Sequence, residues 1–311
     1  LRRIANNQSA VTMAKVVANI DPRFASAIER CLHRDPQARF SSGEELRDAL
    51  EQIADTSKKE EIPAGNPYRG LLPFEAEHRS LFFGRKSEIG TLIDRLRTEA
   101  FIVVAADSGV GKSSVCRAGV LPLIAEGALG GNRAWKEVLM IPGRRPLQSL
   151  VIALSRELGI DEEQFTKALH ADPANLPREL HKRLGDKRGL VLFIDQMEEL
   201  MTIGDREETL VVGEALASLV NRAPHVRLLA TVRSDFLARL ASVPGIGDEI
   251  NRALYILRPL NAEKIREVIT GPAHKKGVSF ENDEMLKLLV ESTAQADGGL
   301  PLLQFALAEL W

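Results

Sequence analysis

The stretch Phe101 to Cys116, FIVVAADSGVGKSSVC, restricts the fold of this chain more than any other. Its first half, Phe101 to Ala105, is an apolar run too short for a helix. It is rich in β-branched residues and reads as a buried strand. Its second half spells A-x-x-x-x-G-K-S from Ala106 to Ser113, a phosphate-binding loop pattern with one departure. Asp107, Ser108, Gly109 and Gly111 favour a tight turn, and the apolar positions after Lys112 predict a helix opening there. Backbone N–H groups at such a helix start converge on an anion. The candidate cradle for a nucleotide's phosphates is therefore Ser108, Gly109, Val110, Gly111, Lys112, Ser113 and Ser114. In this pattern Lys112 reaches the β/γ-phosphates and the Ser113 hydroxyl holds Mg²⁺. Ala106 stands where the pattern usually has glycine, and alanine fits there if its φ stays negative.

The rest of the sequence sets the frame for that loop. With 44% hydrophobic and 27% charged residues over 311 positions, the chain has the profile of a globular protein with ample core. A formal net charge of −2 gives no overall electrostatic case for nucleic acid or a membrane surface. Two cysteines, Cys31 and Cys116, make neither a metal site nor a disulfide framework and suit a reducing cytoplasm. Cys116 follows the loop closely and is expected to be buried in its helix rather than reactive. No apolar run approaches the ~20 residues of a membrane helix, and no signal peptide is present. The chain starts without methionine and ends at Trp311 inside a helical pattern, so it reads as an excerpt of a longer protein.

Residues Ile20 to Ile53 read as helices with sharp punctuation. Asp21-Pro22 and Asp35-Pro36 are turn-and-cap signals. Phe24, Ile28 and Leu32 share one helical face, and Leu46, Ala49, Leu50 and Ile53 another. Ser42 and Glu45 form a capping box. Asp55 to Pro67 is polar, charged and broken by Pro63, Gly65 and Pro67, the composition of a linker. Beyond it, Ile89, Leu92, Ile93 and Leu96 recur at helical spacing just ahead of the phosphate-loop strand. Gly84 permits close backbone approach before that helix, and Arg85 offers a fixed charge.

Further strands are predicted at Val138 to Ile141, Leu190 to Ile194, Val226 to Val232 and Ala253 to Leu257, separated by helices. Strands alternating with helices imply a parallel α/β sheet. Leu190 to Ile194 is apolar throughout, as a strand buried on both faces would be, and ends in Asp195. An acid at the C-terminal tip of such a strand sits where open α/β sheets bind ligands. Asp195 can face the loop lysine and bind Mg²⁺, the Walker B arrangement. Glu198 is favoured to polarise an attacking water, with Glu199 structural. Arg233, at the tip of the strand Val226 to Val232, is placed to sense a γ-phosphate, and Asp235 to cap the next helix. From Asn261 the pattern is helical: Ala262 to Ile269, Asp283 to Ala296 and Leu302 to Leu310. Gly271-Pro272-Ala273 and Gly298 to Leu302 separate these helices, which would form a lid over the nucleotide.

Two resemblances attach to these motifs. Cys31, Leu32, Asp35, Pro36, Arg39 and Ser41 match C-L-x-x-D-P-x-x-R-x-S/T, so residues 1–54 resemble the C-terminal end of a Ser/Thr protein kinase lobe. The kinase glycine-rich loop, catalytic loop and DFG are absent from this sequence. NPYRGLLPFE (Asn66 to Glu75), LFFGRKSEI (Leu81 to Ile89), the phosphate loop, IDQMEEL (Ile194 to Leu200), TVRSDFLARL (Thr231 to Leu240), GPA (Gly271 to Ala273) and GGLPLLQFALAELW (Gly298 to Trp311) together resemble the first novel class of STAND NTPases. The resemblance implies a P-loop NTPase of the ASCE/STAND type, with a core over residues 68–258 and a helical lid over 259–311. It further implies that Phe83, Gly84 and Arg85 are the hhGR motif near the adenine. By the same resemblance Arg233 is the sensor arginine, and Leu300 and Pro301 are the GxP residues that pack on the base.

The resulting expectation is a signalling ATPase that binds ATP or ADP with Mg²⁺, hydrolyses ATP slowly and self-associates in the ATP state. Catalysis rests on Lys112, Asp195, Glu198 and Arg233, and the metal on Ser113 and Asp195. An upstream kinase domain and a downstream repeat sensor for a protein or ligand are implied in a bacterial parent. One rival is a nucleotide-gated scaffold with little hydrolysis, for which Gln196 and Ala106 leave room. Another is a regulatory domain of the upstream kinase.

Overall fold

The computed structural model describes residues 20–55, 61–296 and 298–311. Residues 1–19 of the kinase-like segment and 56–60 of the linker lie outside the described residues. By contact the chain divides into two compact units, Leu1–Glu61 and Ile62–Trp311.

In the first unit, helix α1 (Pro22–Cys31) starts where the Asp21 carboxylate accepts the Arg23 N–H, with proline in its first turn. Asp35 likewise caps a single turn, Pro36–Ala38. Helix α2 (Gly43–Asp55) opens with the Ser42 hydroxyl accepting the Glu45 N–H. The Glu45 carboxylate does not close the predicted box on Ser42. It accepts instead from the Ser41 N–H and hydroxyl, and from Arg30 of α1 at 2.6 Å. The apolar stripe predicted along α1 is also more open than its spacing implies, with Phe24 42% and Leu32 57% exposed.

The second unit is built on five parallel strands in the order β2-β3-β4-β1-β5. They are β1 (Phe101–Ala106), β2 (Ala134–Met140), β3 (Arg188–Ile194), β4 (Val226–Arg233) and β5 (Leu254–Ile256). β1 is buried at every position. Phe101, Val103 and Ala105 pack on one face of the sheet, and Ile102, Val104 and Ala106 on the other, following the two-residue period of a strand. The first face is covered by α5 (Pro146–Leu158), α6 (Glu162–Ala171), α7 (Leu176–Leu184) and α8 (Arg206–Arg222). The second is covered by α3 (Lys86–Thr98) and by α4, the helix that follows the phosphate loop. This is the parallel α/β sheet flanked by helices that the sequence predicts. β2 begins four residues before the predicted Val138, because only β3 pairs with it. An edge strand tolerates Lys136 and Glu137, and no uninterrupted apolar run marks it.

α4 runs through three consecutive pieces, Lys112–Ser114, a wider π-turn Val115–Val120, and Leu121–Ala125. Pro122 has no N–H to offer the preceding turn and would clash with its carbonyl, and the wider turn relieves both problems.

The last three helices, α9 (Ala262–Lys275), α10 (Asp283–Gln295) and α11 (Gly299–Leu310), share a small core with Tyr68. Two of their boundaries differ from the sequence reading. α9 continues through Gly271-Pro272-Ala273, although an interior proline costs a helix about 3 kcal/mol. Burial of Ile265, Ile269 and Ala273 offsets that cost. Gly271 is required there because a Cβ would fall 2.5 Å from the Phe83 ring. α11 starts at Gly299, three residues before the predicted Leu302, so Leu300 and Pro301 lie in its first turn.

The segment Asn66–Glu75 ties these helices to the sheet. Asn66 Nδ2 donates to the Ala308 carbonyl at 2.7 Å and the Tyr68 hydroxyl to that of Ile269 at 2.5 Å. At the other end, the Phe74 N–H donates to Ser114 Oγ in α4 at 3.1 Å. Burial pushes the Tyr68 hydroxyl up to about 12. Tyr68→Phe removes one buried hydrogen bond, and we expect it to cost about 1 kcal/mol. Amide exchange in α9 should quicken while the strands stay protected, and unchanged exchange in α9 would show that the segment does not hold the helix. Among the described residues no helix is long and apolar enough to cross a membrane.

Candidate functional site

β1 ends at Ala106 and α4 starts at Lys112, so the intervening turn sits at the C-terminal edge of the sheet. Gly109 and Gly111 adopt φ of +80° and +96°, which is why the turn needs glycine there. Ala106 remains a strand residue in register with Arg233, and among the described residues only Gln196 has a positive φ without being glycine. Alanine is therefore accommodated in the way the sequence reading required.

Lys112 folds back over the turn. Its ammonium donates to the Ala106 and Asp107 carbonyls, each at 2.8 Å. Burial lowers its pKa, against the opposing pull of Glu198 and Asp107. The Ser113 hydroxyl donates to Asp195 Oδ1 at 2.8 Å, which joins the loop to the tip of β3. Asp195 is 1% exposed, and Thr231 of β4 donates to the same oxygen at 2.5 Å. The next residue, Gln196, has φ +58°, a strained setting for a side chain, and its N–H donates to Thr231 Oγ1. That bend returns the chain so that Glu198 faces the loop. Glu198 Oε2 accepts the Arg233 N–H at 3.3 Å, whereas Glu199 Oε2 accepts the Gly143 N–H at 2.8 Å and takes a structural position.

These groups line one cleft of about 500 Å³, the size of a small-molecule site. Ser108 to Ser114, Asp195, Glu198, Arg233, Phe83, Arg85, Leu300 and Pro301 all border it. Several hold positions that motif matching alone does not convey. Arg85 is 3% exposed and acts as a tie: it donates to the carbonyls of Arg258 (2.8 Å) and Val110 (2.9 Å) and pairs with Glu88 (3.0 Å). Gly84, between Phe83 and Arg85, does not border the cleft; it has φ +78°, and a Cβ there would lie 2.9 Å from both the Lys264 carbonyl and Val268 of α9. Pro301 sits directly on the phosphate loop, 2.7 Å from where a Gly109 Cβ would be. Asp235 does not cap a helix. It accepts both Arg233 Nε (3.1 Å) and Nη2 (2.8 Å), while the Arg233 guanidinium lies 5.2 Å from the Phe236 ring centre.

Three cleft residues escape a motif reading. Arg117, on α4, donates to Asp195 Oδ2 through Nε (3.1 Å) and Nη2 (2.8 Å) and to Glu75 through Nη1 (2.7 Å). Burial works against its charge, and the Asp195 and Glu75 carboxylates overcome that and raise its pKa. Its signal in the sequence is an arginine among the buried Val115, Cys116, Ala118 and Gly119. Thr231 is the lone hydroxyl in an apolar strand. Gln304 of α11 is 7% exposed, and its Oε1 has no hydrogen-bond partner. Cys116 is fully buried, and burial pushes its thiol well above its usual range.

The Ser113 hydroxyl and the Asp195 carboxylate are hard oxygen donors already in contact. They fit a Mg²⁺ ion that takes its remaining ligands from phosphate and water. Among the described residues no group of three or more His, Cys, Asp or Glu side chains could hold a metal unaided.

Several solved structures share this fold. A Walker-type ATPase of Pyrococcus abyssi superposes with a TM-score of 0.53 at 14% identity, covering 77% of this chain and 70% of that one. The ADP form of the ORC2 protein of Aeropyrum pernix gives 0.54 at 15%, covering 73% and 62%. The Aeropyrum pernix ORC1 protein in complex with DNA gives 0.52 at 17%, covering 77% and 63%. This chain thus spans less than two thirds of either ORC protein, and at these identities the likeness is one of fold. No curated protein sequence matches the chain. The family model for Novel STAND NTPase 1 matches residues 67–311, which takes in the sheet, the cleft and helices α9–α11. The chain belongs to the Novel STAND NTPase 1 family, whose members are nucleotide-binding P-loop NTPases.

Proposed function

We propose that this chain is a regulatory ATPase module in which ATP and ADP, bound between the sheet edge and α9–α11, set the position of those helices. One observation carries this reading: Pro301 of α11 rests on Gly109 of the phosphate loop, in the cleft that also gathers Lys112, Asp195 and Glu198. Phosphates entering the loop meet the first turn of α11, so nucleotide state and helix position are coupled by contact.

In this reading Lys112 leaves the loop carbonyls for the β/γ-phosphates. Ser113 and Asp195 hold Mg²⁺, which when bound neutralises phosphate charge developing in the transition state. Glu198 takes a proton from the attacking water, and Arg233 moves from Asp235 to the γ-phosphate. Phe83 and Pro301 flank the base, and the free Gln304 Oε1 is an acceptor for an exocyclic amine such as that of adenine. Self-association in the ATP state, a kinase domain upstream and a sensor downstream complete the proposal for the parent protein.

Glu198→Gln is the test. It should lower single-turnover hydrolysis about 10²–10⁴-fold and leave nucleotide affinity within a factor of about 3. Unchanged turnover would remove Glu198 from the chemistry. A second reading, a scaffold that holds nucleotide with little hydrolysis, is favoured by the bidentate Arg117–Asp195 contact, which occupies one carboxylate oxygen of the metal-binding acid. Wild-type single-turnover hydrolysis no faster than that of free ATP, with nucleotide still bound, would select that reading.

A further inference from the structure

The sheet has a second open end. Arg133 immediately precedes β2, Asp186 lies just before β3 and His225 immediately precedes β4, so these residues meet at the N-terminal ends of three adjacent strands. Lys112, Asp195 and Arg233 lie at the other end, a strand length or roughly 20 Å away. A cleft of about 480 Å³ opens here, lined by Arg133, Arg178, His181, Asp186, Arg222 and His225. One wall is the start of α7, where Asn175 and Pro177 also border the cleft.

Its charges are unbalanced. Three arginines face a single aspartate, a formal excess of two positive charges with both imidazoles neutral. Arg133 is held only by long contacts, Nε to the Asp186 carbonyl and Nη1 to the Pro224 carbonyl, each at 3.3 Å. The guanidinium groups of Arg178 and Arg222 make no ion pair or hydrogen bond among the described residues. His225 is 5% exposed, and its Nε2 is buried with no hydrogen-bond partner. Its ring centre lies 5.1 Å from that of His181. Burial lowers the His225 pKa, helped by His181 and Arg133 and opposed by Asp186.

A buried imidazole nitrogen without a partner is costly, and an anion that pairs with it would also supply the counter-charge that the three arginines lack. Arginine forks match the oxygens of a tetrahedral oxyanion, and the excess of two charges matches a dianion. The volume suits a small molecule. We propose that this cleft, remote from the nucleotide site, binds a small ligand through a dianionic phosphate group held by Arg133, Arg178, Arg222 and His225.

The test is a titration of the whole chain with inorganic phosphate and, separately, with glycerol 3-phosphate, read at the His225 and His181 ring resonances. We expect a saturable shift that persists in Lys112→Ala, where the phosphate loop is disabled. It should weaken at least tenfold in Arg178→Ala/Arg222→Ala. Tighter binding of the ester identifies a phosphorylated metabolite as the ligand, and equal binding identifies free phosphate. The Arg178→Lys/Arg222→Lys variant keeps the charge and loses the forks, and it should bind with intermediate strength even if the alanine variant folds poorly. The proposal is overturned by the absence of a saturable shift. It is equally overturned by a shift unchanged in both double variants, or by one lost in Lys112→Ala, which would report the nucleotide cleft instead.

Discussion

Lys112→Ala will lower ATP hydrolysis about 10²–10³-fold and weaken nucleotide binding about 10–100-fold. The ammonium is partly buried, and its partners are neutral carbonyls of its own loop. A phosphate oxygen offers a charge-assisted bond in their place, about twice as strong as a neutral one. Transition-state charge on the γ-phosphoryl group grows where Lys112 can follow it, so the loss in rate should exceed the loss in affinity. The fold should survive the change. Removing a partly buried cation relieves its desolvation, and the Ala106 and Asp107 carbonyls remain open to water. Isothermal titration with ADP, single-turnover assays with ATP and a thermal melt separate the three quantities. Wild-type affinity and turnover in the variant would sink the nucleotide assignment.

The second large effect is on stability. Arg117→Met should cost about 3–5 kcal/mol, because it strands the Asp195 carboxylate inside the protein with Oδ2 unpaired. For a unit of this size that corresponds to a fall in melting temperature of roughly 6–20 °C. Met keeps most of the volume of the arginine stem, so lost packing contributes little. Asp195→Asn in the same chain removes the stranded charge and should recover most of the loss, a coupling that a double-mutant cycle measures directly. Glu75 is more exposed than Asp195 and is left solvated, so its share is small. If Arg117→Met melted like the wild type, the Asp195 carboxylate would not depend on its ion pair.

The contrast between these two residues mirrors what was legible in the sequence. Lys112 announces itself through its immediate neighbours, a β-branched strand before it and a glycine turn around it. Arg117 is five residues further on, and nothing local marks it as the partner of an aspartate 78 positions away. Glu199 against Glu198 is an intermediate case. Both follow the β3 tip, and the choice between them depends on the left-handed backbone at Gln196, which tertiary bonds to Thr231 hold in place. Asp235 illustrates a failure of local rules: at a helix start it reads as a cap, yet the adjacent Arg233 claims both its oxygens.

The parallel α/β sheet, the phosphate loop after β1 and an acid at the tip of β3 can all be read from the residues alone. Each of these is encoded in fewer than about ten consecutive residues by apolar period and turn chemistry. The ends of α9 and α11, the seating of Pro301 on Gly109 and the pairing of Arg117 with Asp195 depend instead on the packed fold. It also brought together the basic cleft from three strand starts and two helices. Such arrangements follow from packing and charge pairing between segments far apart in the chain. The burial gained there outweighs local preferences, including the about 3 kcal/mol by which Pro272 opposes the helix it lies in.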